Sequence, residues 1–282
     1  MACDISIVVP VQNEEDNILP LAQEVAAALS PTRWTYELVF VDDASTDKTW
    51  QRIQDARRRD PRVRGLRHAS NRGQSAALWT GIQATDSPIL GTMDGDRQND
   101  PADFPRLLAE LDGHDFVCGV RIKRQDARMR RFSAAVARHA RKWVLKVDFA
   151  DTGCGLRVFK RSTLASLFPF NGLHRFLPIL MHGSGARTLE VPVNHRPRVA
   201  GVSKYGVWDR LGRGIVDLLA MAWFQRRRLA PVSYEEAQVS ANRIEHPMEA
   251  GGPSGALPAS AAPRPARAGT ELEPKLRTGT AG

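Results

Sequence analysis

Cysteine is scarce in this 282-residue chain: Cys3, Cys118 and Cys154 are odd in number and far apart. Thiols at those separations suit neither a disulfide framework nor a zinc site, and they point to a reducing cytoplasm. Long apolar runs are missing too. The longest near the C-terminus, Gly214 to Phe224, is interrupted by Asp217 and is about half of the ~20 residues a spanning helix needs. No transmembrane helix is therefore expected. The opening residues Met1-Ala2-Cys3-Asp4 lack a basic region followed by an apolar stretch, so no secretory leader is read there. Neither Gly-x-Gly-x-x-Gly nor a Walker lysine motif occurs, which disfavours a nicotinamide cofactor and a P-loop ATPase. Internal repeats are absent as well.

What is present is an ordinary globular composition, 42% hydrophobic and 25% charged, in a length that allows one large domain or two small ones. Lys and Arg number 40 against 31 Asp and Glu, so 40 − 31 gives a net charge of +9. Only seven of the cations are Lys. An Arg-rich excess of this kind fits either coding bias or an anionic partner, and its position along the chain decides between them.

The first 120 residues alternate short β-branched runs with helical patterns. Strands are predicted at 5–9, 36–41, 63–68, 89–93 and 116–119. Helices are predicted at 14–29, from the Ser45 or Asp47 cap to about 59, at 74–84 and at 101–111. Ile18, Leu21, Val25 and Leu29 supply the apolar stripe of the first helix. Such alternation predicts an α/β fold with a mostly parallel sheet and helices on both faces. Ligands then bind at the carboxyl ends of the strands, where residues 10–13, Asp42-Asp43 and Asp94-Gly95-Asp96 fall. Beyond residue 120 the texture changes. Nine Lys or Arg and a single acid, Asp126, lie between Arg121 and Lys142, a cationic amphipathic helix pattern. Short strands follow at 155–159 and 189–193. Residues 206–228 read as a helix with a Leu, Met, Trp and Phe face ending in three arginines, an interfacial pattern. Between Ala250 and Gly269, 15 of 20 residues are Ala, Gly or Pro, too few large apolar groups to offset ordering entropy. The expected division is a catalytic domain at 1–205, an amphipathic membrane-interface helix at 206–229 and a disordered tail at 230–282.

The segment Asp94-Gly95-Asp96-Arg97-Gln98-Asn99-Asp100-Pro101 carries the most chemistry. Two carboxylates separated by one glycine face the same side of an extended chain and can reach one cation. With Gln98 as a third oxygen ligand they suit Mg²⁺ or Mn²⁺ bound together with a diphosphate. The same residues also read as an Asx-turn and a helix cap, Asp100 before Pro101. Asn13-Glu14-Glu15 and Asp42-Asp43 end the first two strands. They can accept hydrogen bonds from ribose hydroxyls or a base edge, or serve as helix caps.

The stretches 7–15 (IVVPVQNEE), 41–49 (VDDASTDKT), 71–74 (NRGQ) and 94–101 (DGDRQNDP) together resemble an inverting family-two glycosyltransferase of the GT-A fold. Residues 151–159 (DTGCGLRVF), 174–176 (HRF), 195–198 (HRPR) and 201–206 (GVSKYG) narrow the likeness to polyprenyl-phosphate or dolichol-phosphate mannosyl- and glucosyltransferases. The resemblance covers roughly residues 4–228. It implies that Pro10, Asn13, Glu14 and Asp42 line the nucleotide pocket with Asp43 close by, and that Asp94, Asp96 and Gln98 hold the divalent ion. It places Arg121, Arg131, Ser133, Arg198 and Lys204 where donors gather for the lipid phosphate and the departing diphosphate. Two positions depart from the pattern: Gln12 stands where an aromatic residue is usual after the proline, and Arg97 where an apolar one is common.

Cleaving a sugar–diphosphate bond builds negative charge on the leaving group, which a metal ion and nearby cations neutralise. A lipid monophosphate is already anionic near neutral pH, since its second pKa is about 6, so it requires no strong base. Asp151, counted with Asp96 and Arg121 among the catalytic candidates, then orients groups; proton abstraction is its lesser role. His174 and His195 read as structural or phosphate-contacting, and Arg157 as a salt-bridge partner or a contact to the acceptor phosphate.

The expected reaction is hexosyl transfer from a UDP- or GDP-sugar to a polyprenyl phosphate. It would occur at the inner face of the cytoplasmic membrane, held there by the basic cluster or by a separate membrane subunit, with a homo-oligomer also compatible. The rival enzyme is a family-two transferase with a soluble or polysaccharide acceptor. Nucleic acid is not an expected partner, because stacking aromatics do not interleave with the charge.

Overall fold

The computed structural model describes residues 3–121, 142–197 and 207–227. Strand β1 (Ile5–Val11) shows why a sheet forms. Ile5, Ile7, Val9 and Val11 are buried on one side of it and Val8 on the other, so both faces are covered. β1 pairs in parallel with β2 (Tyr36–Asp42) on one flank and β4 (Ile89–Thr92) on the other, and β3 (Val63–Arg67) adds in parallel beyond β2. β6 (Arg157–Lys160) then runs antiparallel between β4 and β5 (Phe116–Arg121), and β7 (Thr188–Val193) lies parallel to β5 at the edge. The seven strands follow the order β3-β2-β1-β4-β6-β5-β7. The mostly parallel α/β sheet expected from the sequence is thus present, with β6 as its one reversed strand.

Two cores sandwich the sheet. On one face α1 (Ile18–Leu29), α2 (Thr49–Arg59) and α4 (Phe104–Ala109) contribute Leu21, Val25, Ile53, Phe104 and Leu107. On the other, α3 (Gln74–Gln83) and α5 (Leu173–Gly183) contribute Leu78, Ile82, Leu177 and Ile179, joined by Met221 of α6 (Val207–Arg227). No helix among the described residues is long and apolar enough to cross a membrane.

Several boundaries differ from expectation for local reasons. The first helix begins at Ile18 and not at Glu14, because residues 13–15 are bonded to the β2–α2 loop. The segment expected as one helix at 101–111 is a 3₁₀ turn (Pro101–Asp103), then α4, then a second 3₁₀ turn (Glu110–Asp112). Pro105 has no N–H to give the Pro101 carbonyl, which accepts from Phe104 instead. Asp100 caps this start by accepting the Ala102 amide at 3.1 Å. The basic stretch at 122–141 and the tail from 228 onward lie outside the described residues.

Candidate active site

The acidic motifs meet at the carboxyl ends of β1, β2 and β4. Asn13 sits at φ 54°, a left-handed conformation that Asn tolerates, and turns the chain back toward β2. Its amide donates to Ser45 Oγ at 2.9 Å and its Oδ1 accepts the Thr46 amide at 2.8 Å. Glu14 donates its amide to Thr49 Oγ1 at 2.8 Å and accepts from Asn17 Nδ2 at 2.6 Å. The two loops are thereby fastened into one rim, with Pro10 at the end of β1 behind it. Asp42 is fully buried. Its Oδ1 accepts the Ser45 amide at 2.9 Å; its Oδ2 lies 3.2 Å from Arg67 Nε but out of line for a hydrogen bond. That second oxygen is an acceptor with remaining capacity. Asp43 differs: its carboxylate takes the Arg72 amide at 2.8 Å, the Gly73 amide at 2.7 Å and His68 Nδ1 at 2.8 Å. It shapes the turn into α3 and has little left for a ligand.

Asp94 and Asp96 do not lie along an extended chain as the sequence suggested. β4 stops at Thr92, Gly95 and Asp96 form a turn, and Arg97 adopts φ 60°. A methyl group at Gly95 would meet Val11 Cγ1 at 2.5 Å, so this turn fits only because glycine lets it press against the end of β1. The two carboxylates remain electrostatic neighbours. Burial, then the Asp96 charge, push Asp94 up to about 6, against the pull of Arg157, Arg121 and the Gln74 amide. Gln74 Nε2 donates to Asp94 Oδ1 at 3.0 Å. Gly155 presses against that carboxylate: a Cβ there would fall 2.4–2.6 Å from the carboxylate atoms. Asp96 Oδ1 accepts the Gln98 amide at 3.1 Å. Two neighbouring hard oxygen donors under a glycine cradle fit a divalent cation such as Mg²⁺ or Mn²⁺; Gln98 is tied to Asp96 through its backbone amide, while its side-chain Nε2 donates to the Arg196 carbonyl at 3.5 Å.

This loop is held from below. Asn99 Oδ1 accepts the Asp94 amide at 3.1 Å, Asn99 bridges to His195, and the Arg196 amide donates to the Gln98 carbonyl at 2.9 Å. Arg97, which departs from the family pattern, pairs with Glu24 of α1. Arg196 joins the same Glu24 at 2.7 Å and Asp100 at 2.5 Å.

Across β6 lies the second half of the site. Arg121, at the end of β5, grips Asp151 with Nε to Oδ2 at 2.6 Å and Nη2 to Oδ1 at 2.8 Å. Asp151 also accepts the Gly153 amide at 3.1 Å. Glu190 of β7 receives the amides of Ala150 at 2.9 Å and Asp151 at 3.1 Å, which fixes the loop behind the pair. Burial lowers and the Asp151 hydrogen bonds raise the Arg121 pKa, with a net rise. Arg157 is buried beneath both halves and has no carboxylate within ion-pairing distance among the described residues, so the salt bridge expected for it does not form. His174 is neutral near pH 7, because burial and then the Arg175 and Arg157 charges push it down to about 3; its Nδ1 lies 2.7 Å from Ser75 Oγ.

The structure therefore brings together Pro10, Asn13, Glu14 and Asp42 as one group and Asp94, Asp96, Gln98, Arg121 and Asp151 as another. Arg131, Ser133, Arg198 and Lys204 lie outside the described residues. Sequence reading assigned no role to Gln74, Gly155 and Glu190. The first two stand inside motifs quoted for the resemblance, whereas Glu190 occupies an alternating edge-strand position with no local signal.

Residues 6–168 match the profile of glycosyl transferase family 2. The chain is 36% identical over 239 residues to a dodecaprenyl-phosphate galacturonate synthase of Rhizobium johnstonii, covering 81% of this chain and 69% of that protein. It is 36% identical over 204 residues to an undecaprenyl-phosphate 4-deoxy-4-formamido-L-arabinose transferase of Pseudomonas fluorescens, covering 71% of this chain and 60% of that one. The chain thus spans roughly two thirds of the length of these curated relatives. Among solved structures, a Mycobacterium tuberculosis glucosyl-3-phosphoglycerate synthase with Mn²⁺, UDP and glucosyl-3-phosphoglycerate superposes with TM-score 0.56 at 21% identity, covering 79% of this chain and 80% of that one. A Pyrobaculum calidifontis mannosyltransferase with GDP-Man and Mn²⁺ gives 0.55 at 23%, covering 82% and 66%. These likenesses establish the fold.

Proposed function

Because the chain belongs to glycosyl transferase family 2 and is a GT-A-fold glycosyltransferase, we propose that it transfers a hexosyl group from a UDP- or GDP-sugar to a polyprenyl phosphate, inverting the anomeric carbon. The observation that carries this reading is the two-point grip of Arg121 on Asp151. Both Asp151 oxygens are already committed to a guanidinium, and Glu190 is spent on backbone amides, so neither carboxylate stands free to take a proton from an acceptor. An acceptor hydroxyl would need a proton removed; a phosphate monoester, anionic by itself near neutral pH, would not. The Nη1 group of Arg121 has no partner among the described residues and is available to an acceptor oxygen. The two relatives, both polyprenyl-phosphate sugar transferases, support the same acceptor class.

On the donor side, Asp42 Oδ2 and the Asn13–Glu14 rim would take the nucleoside, with Pro10 beneath it. A divalent cation, Mg²⁺ or Mn²⁺, held by Asp94, Asp96 and Gln98 would neutralise charge on the departing diphosphate. Arg131, Ser133, Arg198 and Lys204 complete the proposed acceptor-phosphate set. The protein would work at the inner face of the cytoplasmic membrane, peripherally or on a separate membrane subunit. The exposed Val216, Leu219 and Trp223 of α6, beside Arg226 and Arg227, support that placement.

Incubation with undecaprenyl phosphate, Mg²⁺ or Mn²⁺ and a panel of radiolabelled UDP- and GDP-sugars, followed by lipid extraction, tests the reading. Galacturonate and formamido-arabinose donors belong in that panel because of the relatives. Label in the lipid phase with one donor is the expected result; no labelled lipid from any donor overturns it.

A further inference from the structure

Arg157 stands apart from every other arginine in the site. It is 3% exposed, yet of its five donors only Nη2 has a described partner, the Thr152 carbonyl at 3.1 Å. Its Nε is buried without any. A buried cation with so few bonds and no counterion in contact is a poor choice for stability, since an apolar side chain of similar volume fills the same space without losing hydration. Its position supplies the reason to keep it. In the sheet Arg157 pairs with Thr92, two residues before Asp94, and with Cys118, three residues before Arg121. The carbonyl it holds belongs to the loop at 151–155, whose first residue is gripped by Arg121 and whose last closes over the Asp94 carboxylate. Thr92 fastens the same end of the loop, donating from Oγ1 to the Gly155 carbonyl at 2.7 Å.

We propose that Arg157 is a positioning residue: from inside the sheet it clamps the 151–155 loop, so that Asp94 and the Arg121–Asp151 pair keep one fixed spacing. The assignment of Asp94 to the donor side and Arg121 to the acceptor side rests on the function proposed above; the clamp itself does not. Without the clamp the loop keeps its Arg121 and Thr92 anchors but can bow between them. Both halves of the site would remain, at variable separation, and a displacement of about 1 Å can cost on the order of 100-fold in rate.

The experiment compares Arg157→Met, which keeps the length and removes charge and donors, with Arg157→Lys, which keeps a cation able to reach the Thr152 carbonyl. Amide hydrogen exchange over 151–156, thermal melting and steady-state kinetics with undecaprenyl phosphate are read on each full-length chain. In Arg157→Met the melting temperature should hold or rise, while exchange over 151–156 quickens about tenfold with the rest of the sheet unchanged. Its kcat should fall about 10- to 100-fold, with the donor KM within about threefold of wild type. Arg157→Lys should recover most of the loop protection. Unchanged exchange over 151–156 in Arg157→Met overturns the proposal. So does a drop in melting temperature with protection lost across all strands, which makes Arg157 an element of the fold. If the wild-type chain labels no lipid, the proposed function fails, and the exchange comparison still decides for or against the clamp.

Discussion

Asp151 is the residue whose reading changes most once its partner is known. A carboxylate at that place in the sequence could orient or abstract a proton; Arg121 holds it through both oxygens, which supports the orienting role proposed for it. The two readings separate by pH. Asp151→Asn leaves Arg121 in a buried place without its counter-charge, which costs about 3–5 kcal/mol when such a pair is broken, so activity should fall by a factor of about 10 to 100 through misplacement. The acid limb of kcat/KM should persist in the variant, because ionisation of the lipid phosphate near pH 6 sets it: protonation below that value weakens the nucleophile. A profile that becomes flat on the acid side in Asp151→Asn would make Asp151 the base. Gly155 makes a sharper case. A methyl group there lands within 2.6 Å of three Asp94 carboxylate atoms, so Gly155→Ala must turn that carboxylate away. Gly155→Ala should lower Mn²⁺-dependent transfer about 100-fold while melting within a few degrees of wild type. Retention of most activity would show that Asp94 has room to move, or no role.

At the level of elements, close approach decides what the sequence could and could not reveal. Gly81 lies inside α3, where alanine is better for an isolated helix by about 1 kcal/mol. Its added methyl would stand 2.3 Å from Val8 Cγ1 and 3.0 Å from Val41 Cγ2, and overpacking costs about 1–3 kcal/mol. The packing penalty wins, and Gly81→Ala should melt about 2–8 °C lower, as read by calorimetry; a higher melting temperature would mean that α3 does not sit this close to β1. The strands were legible because runs such as Ile5–Val11 are β-branched and buried on both faces, and the α1 stripe was legible because its period is local. The start of α1 was not, since Ser45, Asp47 and Thr49 hold residues 13–15 from more than 30 positions away. Nor was the reversal of β6: a four-residue strand of sequence Arg-Val-Phe-Lys carries no mark of direction. The metal-binding candidates were legible as residue types, but their turn geometry depends on Gly95 pressing against Val11, a contact between this turn and a strand more than 80 residues earlier. Glu190, which fixes the loop behind Asp151, shows its role only when β7 is placed beside β5.

For the molecule as a whole, the +9 charge and the exposed apolar surface belong to the same argument. The two sheet faces are covered by helices, so the large apolar side chains left in solvent stand out: Trp143 is 84% exposed, and Leu219 and Trp223 of α6 are 60% and 64% exposed. Together with Val144, Lys146, Arg226 and Arg227 they line one cavity whose walls combine apolar and cationic side chains. Amphipathic aromatic rings beside lysine and arginine suit the headgroup level of an anionic leaflet. The expected outcome is binding to vesicles of phosphatidylglycerol and phosphatidylcholine, weakening as salt rises through the physiological range, where screening acts over about 8 Å. Leu219→Ala together with Trp223→Ala removes two apolar groups each worth about 1.5–3 kcal/mol when buried, so vesicle affinity should drop at least about tenfold. Transfer to a short, water-soluble polyprenyl phosphate should be unaffected in that variant, because neither residue touches the Asp94 or Arg121 groups. Full vesicle binding by the double variant would remove α6 from the docking surface and leave the basic stretch at 122–141 as the part of the chain to test by charge reversal.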